Sequence, residues 1–166
     1  MSDFHTIESA RGQFPLTLHP DKRESWDTGK FPRVMIMTPR LILEGTDEGQ
    51  CVELDVYMKS TYHEDIVEDY AFDGSLRLHK SGEVEYYIDR GFKGNGFATE
   101  AVEGAKLFLA QRKISPFLRI KESNLDSQKV ALKTGFYHAE TIKAVTPEED
   151  KKLYRLALAQ KTVDAL

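Results

Sequence analysis

Between residues 90 and 98 the chain reads Arg90-Gly91-Phe92-Lys93-Gly94-Asn95-Gly96-Phe97-Ala98, residue types and spacing that suit the binding of an anion. Glycine passes through left-handed conformations and lets the backbone approach a ligand closely, so several N–H groups can turn toward one point. A helix beginning directly after such a turn adds unpaired N–H groups and the positive end of its dipole. A phosphate-bearing ligand is the expected guest. By itself the run also describes an ordinary loop. The G-x-G-x-x-G spacing of a dinucleotide fold is absent, as is the Gly-Lys-Ser/Thr of a P-loop, which leaves neither of those readings support.

A second motif follows about thirty residues later. Asn124-Leu125-Asp126-Ser127-Gln128-Lys129-Val130-Ala131-Leu132-Lys133-Thr134-Gly135-Phe136 is similar, position for position, to the N-x-x-S-x-x-V-x-x-K-x-G-F signature of GNAT acetyltransferases. Thr38-Pro39-Arg40-Leu41-Ile42-Leu43 resembles the first strand of the ribosomal-protein-alanine N-acetyltransferase (RimJ/RimL-like) branch, and Glu83-Val84-Glu85-Tyr86-Tyr87-Ile88 its central strand. The likeness runs from about Thr38 to Leu158. It implies an α/β mixed-sheet GNAT acyl-CoA N-acyltransferase fold. It further implies acetyl-CoA as acetyl donor, no metal, and direct transfer in a ternary complex to a primary amine: a protein N-terminus, a lysine or a small amine.

The resemblance also distributes roles. The family's loop pattern Q/R-x-x-G-x-G/A falls on Lys93, Gly94, Asn95, Gly96, Phe97 and Ala98, whose backbone N–H groups would hold the pyrophosphate. Lys93 replaces the usual Gln or Arg and keeps the charge without the fork of donors. The strand ending in Tyr87, Ile88 and Asp89 would splay from its neighbour so that pantetheine adds as a pseudo-strand. Asn124 would bond the pantetheine arm, although an Asn at a helix start also serves as a plain N-cap. Ser127 would protonate the departing thiolate, because Ala131 stands where many relatives carry a tyrosine acid.

Transfer to an amine also needs a base, since an ammonium has no lone pair with which to attack. Glu83 and Glu85 alternate onto one face of their strand, and Glu83 best matches the branch's recurring strand glutamate. Two glutamates on an exposed edge face would equally do nothing chemical. His63 and His79 are reserve bases, more often ordinary surface or half-buried histidines.

These groups require elements to position them. Val34 to Glu44 reads as a strand broken at Pro39, and Asp47 to Ser60 as a helix. Ser75 to His79 and Glu83 to Ile88 form a hairpin around Lys80-Ser81-Gly82. Ala98, Ala101, Val102, Ala105, Phe108 and Leu109 keep the spacing of an amphipathic helix. Phe117 to Ile120 is a short strand, a helix capped at Asn124 runs to about Thr134 before Gly135, and Leu153 to Leu158 is a late strand. Residues 1–33, where only Phe14 to Leu18 looks able to extend, read as an N-terminal extension. The transferase domain would span 34–160 and a tail 161–166. About forty residues separate Leu43 from Glu83, fewer than the family uses, so the acceptor-side half is shortened. That shortening leaves a second function open, a non-catalytic CoA-binding or protein-binding module that has lost its acceptor site.

The bulk properties agree with one soluble domain. The 166 residues are 40% hydrophobic and 30% charged, with a formal net charge of −4. No global field exists to hold nucleic acid, and an acidic chain favours a cationic acceptor. Cys51 is the single cysteine, which precludes an internal disulfide and reads as a packing residue. The carboxylates between Tyr62 and Tyr70 read as a solvated face with no calcium-loop spacing. No apolar run reaches membrane-spanning length, and Met1-Ser2-Asp3-Phe4-His5 lacks the order of a signal peptide. The expected location is cytoplasmic, without membrane or nucleic-acid partners, and a homodimer through the late strands or the extension is compatible with the sequence.

Overall fold

The computed structural model describes residues 31–59 and 74–157, together with the backbone of two strands, His5–Glu8 (β1) and Pro15–Leu18 (β2). The chain divides into two compact units at Pro116 and Phe117.

In the first unit five further strands follow: β3 (Arg33–Met37), β4 (Leu41–Asp47), β5 (Cys51–Met58), β6 (Gly74–His79) and β7 (Val84–Ile88). The seven form one antiparallel sheet in chain order, each strand paired with its predecessor. The two N-terminal strands extend this sheet through pairing of Thr17 with Met37 and Leu18 with Ile36. Pro39 sits in the tight turn between β3 and β4, outside the ladder, where its missing N–H costs nothing. The Thr38 hydroxyl closes that turn by accepting from the Leu41 N–H at 3.0 Å.

The segment Asp47 to Ser60, expected as a helix, contains β5 instead. Val52, Leu54 and Val56 are buried (5, 2 and 0% exposed) and alternate with more exposed residues. That is the period of a strand. The chain turns into β5 where the Asp47 carboxylate accepts from the Gly49 N–H at 2.9 Å, an Asx turn that ends β4 and reverses direction.

One helix, α1 (Phe97–Gln111), packs on β3, β4, β6 and β7. Of the periodic set read from the sequence, Ala101, Val102, Ala105, Phe108 and Leu109 are buried and Ala98 is half-buried, while Phe97 joins the buried face at the start. Gly104 lies on the same face: a Cβ there would stand 3.2 Å from Leu43 Cδ1 and 3.3 Å from Thr38 Cγ2. The missing side chain is what lets the helix settle on β4. Burial of this aliphatic layer, at roughly 25 cal/mol per Å² of apolar surface, is the main source of cohesion.

The second unit contains β8 (Phe117–Lys121), α2 (Leu125–Lys133), β9 (Phe136–Ile142) and β10 (Lys151–Leu156). Its sheet has the order β8-β10-β9, also antiparallel. The late strand begins two residues earlier than Leu153, and β9 was not foreseen. Buried Gln128 joins α2 to the sheet: its amide nitrogen donates to the Glu122 and Lys121 carbonyls (2.8 and 3.3 Å), and its oxygen accepts from Lys152 Nζ (3.3 Å) and the Tyr154 hydroxyl (3.4 Å). Among the described residues no helix is long and apolar enough to cross a membrane.

Candidate functional site

The chain leaves β7 at Ile88 and enters the glycine-rich segment through a single 3-10 turn, Arg90–Phe92, capped by Asp89, whose carboxylate accepts from the Gly91 N–H at 3.0 Å. Lys93 is extended, and Gly94 and Gly96 follow with φ of +83° and +78°. That region is strained for any residue bearing a Cβ, which explains both glycines. Gly96 is the N-cap of α1 and supplies no side-chain hydrogen bond to it. The first N–H groups of the helix, from Phe97 onward, therefore lack intrahelical or capping acceptors by geometry. Nothing lies within 4 Å of where a Gly94 Cβ would stand, and Lys93 to Gly96 are exposed. The result is an open, positively polarised turn fitted to an anionic group.

Sequence reasoning missed what braces this turn. Arg40, in the β3–β4 turn, donates from its backbone N–H to Glu100 Oε1 and from Nε to Glu100 Oε2, both at 3.1 Å. Its Nη1 donates to the Asn95 carbonyl at 2.9 Å, and its guanidinium lies 4.5 Å over the Phe97 ring. The run Thr38-Pro39-Arg40-Leu41 was legible only as a strand start. Nothing in the spacing tied Arg40 to residues sixty positions away.

On β7, Tyr87 is 56% exposed and Ile88 is buried at 6%. Among the described residues β7 is the last strand of its sheet and pairs with β6. Glu83 and Glu85 do not share an environment. Glu83 is buried (7% exposed) beside the hairpin turn. Glu85 is exposed, 2.8 Å from His79 Nε2 and 3.8 Å from Arg77 Nη1. His63 and the acidic segment from Tyr62 to Tyr70 lie outside the described residues.

On β5 two groups are perturbed. Burial pushes the Cys51 thiol up, opposed by Arg77 and reinforced by Glu53, Glu48 and Glu85. It therefore stays protonated at neutral pH, as expected of a packing residue. Burial, then the Glu53 charge, raises the Asp55 carboxyl.

In the second unit the Asn124 side chain accepts from the Ser127 N–H at 3.1 Å and so caps α2. Ser127 stands at the first turn, half-buried. Ala131 is fully buried (0%), a position with no room for a tyrosine. Among the described residues no group of three or more His, Cys, Asp or Glu side chains could hold a metal.

Comparison with known proteins agrees with this architecture. Residues 58–137, just under half of the chain, match the family model of the GNAT acetyltransferase domain. No curated protein matches the sequence. Among solved structures, RimL, an alpha-N-protein acetyltransferase with a ribosomal substrate, solved with coenzyme A, superposes with a TM-score of 0.53 at 17% identity; the match covers 64% of this chain and 61% of that one. A GNAT-family acetyltransferase from Bordetella pertussis gives 0.56 at 14% identity over 74% and 99% of the two chains. A spermidine N-acetyltransferase chimera from Vibrio cholerae gives 0.53 at 13% identity over 66% and 68%. At these identities the likeness establishes the fold, which is that of the GNAT acetyltransferases.

Proposed function

We propose that the chain is an acetyl-CoA-dependent N-acetyltransferase that moves an acetyl group directly onto a primary amine. The observation that carries this reading is the turn from Lys93 to Ala98, with Gly94 and Gly96 at positive φ and an uncapped helix start, mounted on a GNAT fold. Those features fit a pyrophosphate: the turn is open where a Cβ would stand at Gly94, and Lys93 adds a cation. Along the edge of β7, the backbone of Tyr87, Ile88 and Asp89 would take the extended arm of the cofactor by strand addition. When bound, acetyl-CoA supplies the acetyl thioester.

In this reading Glu83 accepts the proton of the acceptor ammonium, directly or through water, and frees the lone pair that attacks the acetyl carbon. Glu83 is 7% exposed, beside the β6–β7 turn. The Ser127 hydroxyl gives a proton to the departing thiolate as the carbon–sulfur bond breaks, and the second proton of the attacking nitrogen, released as the amide forms, restores that hydroxyl. Asn124 offers its amide nitrogen to the cofactor arm while its oxygen caps α2. The motifs Thr38-Pro39-Arg40-Leu41 and Asn124 to Phe136 favour the RimJ/RimL-like branch. The net negative charge, with Glu53, Asp55 and Glu85 on neighbouring strands, favours a cationic amine. The deciding measurement is release of free thiol from acetyl-CoA in the presence of mixed amines and peptides. A substrate panel without preference for positively charged acceptors would remove the charge argument.

One observation favours a second reading, a CoA-binding module without transferase activity. Between β4 and β5 the chain makes only the turn at Gly49, a short connection that suits a reduced acceptor side. A protein that binds CoA and releases no thiol with any amine would belong to this class.

A further inference from the structure

The guanidinium of Arg40 touches two residues of the anion turn, the Asn95 carbonyl through Nη1 (2.9 Å) and the Phe97 ring (4.5 Å), and a Cβ placed on Gly96 between them would stand 3.4 Å from Nη2. Arg40 is in turn fixed by Glu100, which engages both its backbone N–H and its Nε. The Glu100 side chain is only 5% exposed while that of Arg40 is 50% exposed, so the carboxylate is fixed in the protein and the guanidinium reaches from it to the surface turn.

The grip on the Asn95 carbonyl has a directional consequence. In a trans peptide the C=O and N–H point in opposite directions, so holding the Asn95 oxygen toward Arg40 sends the Gly96 N–H away from it. A peptide preceding glycine flips readily, because glycine populates both signs of φ. Flipped, that unit would present a carbonyl oxygen where an anion is to bind. We propose that Arg40 is the positioning residue of this turn, locking the 95–97 backbone with its N–H groups convergent before any ligand arrives. The proposal rests on the reading of the turn as the pyrophosphate site. It assigns Arg40 a task distinct from that of Lys93, since Arg40 acts through the backbone and not as a contact to the cofactor.

Two variants separate positioning from charge. Arg40→Lys keeps the cation and loses the fork, whereas Arg40→Gln loses both. In the ligand-free protein, amide hydrogen exchange at residues 95–98 should rise about tenfold or more in both variants while β5 and β6 stay protected. The CoA dissociation constant should likewise rise about tenfold in both, the cost of populating a competent turn only part of the time. Glu100→Gln should shift both readouts in the same direction, by less. Wild-type CoA affinity in Arg40→Lys would reduce Arg40 to a point charge and overturn the proposal. Unchanged exchange at 95–98 would overturn it too, as would equal loss of protection in β5 and β6, the mark of a merely structural residue. A wild-type protein that fails to bind CoA would sink the cofactor reading instead, and the exchange comparison would still decide whether Arg40 locks the turn.

Discussion

Gly96 combines a φ of +78° with a Cβ position 3.4 Å from Arg40 Nη2. A β-branched side chain cannot adopt that φ cheaply. Gly96→Val should abolish CoA binding by calorimetry in a protein that still folds, and unchanged affinity would show that the turn is not the phosphate site. Lys93→Ala should weaken binding by roughly 1–2 kcal/mol, the scale of one charge-assisted contact. The two proposed proton carriers separate by pH. Ser127→Ala should lower turnover by roughly 10 to 100 fold with little change in cofactor affinity, because the hydroxyl acts on charge that develops late. Glu83→Gln should lose most rate at low pH, where the acceptor is ammonium, and recover partly as pH rises. If Glu85→Gln or His79→Ala loses activity instead, the base lies two positions along the strand or on its neighbour. At this scale the glycines and the Asn–Ser pair were legible because short-range spacing specifies them. Arg40 was not, because its partners are brought to it only by the packing of α1 on β4.

At the level of elements, α2 separates two jobs of one residue. Asn124 caps the helix through its oxygen, so Asn124→Ala should cost about 1 kcal/mol of stability. Asn124→Asp keeps an acceptor for the Ser127 N–H and loses the amide donor. If that donor reaches the cofactor, Asn124→Asp should melt like wild type and bind CoA more weakly; equal affinity would leave Asn124 a cap alone. The loop from β9 to β10 is pinned by Asp150, buried at 4% exposure, which accepts from Lys143 Nζ (2.7 Å) and the Ala144 N–H (2.8 Å). The hydrogen bond from Lys143, then that from Ala144, holds its carboxyl below the usual range. A lowered carboxyl pKa contributes stability above the unfolded-state value of about 3.9, lost as pH falls through the folded-state value. The melting-temperature gap between wild type and Asp150→Asn should therefore be widest near neutral pH and close in acid. A gap that persists at low pH would refute that linkage. The hairpin of β6 and β7 and both helices followed from period and punctuation. The helix expected over Asp47 to Ser60 gives way to β5 because Val52, Leu54 and Val56 alternate with Glu53 and Asp55, the period of a strand. β9 went unread because Tyr137, His138, Ala139 and Glu140 are all exposed and show no buried face for a pattern to report.

For the molecule as a whole, the decisive quantities are CoA-dependent stabilisation and thiol release. A ligand at a hundred times its dissociation constant adds about 2.7 kcal/mol to the folded state, so CoA should raise the melting temperature measurably. The absence of any shift would contradict both the transferase and the binding-module readings. The order of strands has another consequence, for assembly. In the first unit each strand after β1 pairs with the one before it, so the sheet can lengthen strand by strand through pairings local in sequence, the regime in which chains fold fast. In the second, β10 lies between β8 and β9, and among the described residues each of those outer strands pairs with β10 alone. No ladder can form there until residues 151–156 have left the ribosome. The first sheet therefore has the means to mature during synthesis, while the sheet that carries Asn124 and Ser127 beside it must wait for the final strand.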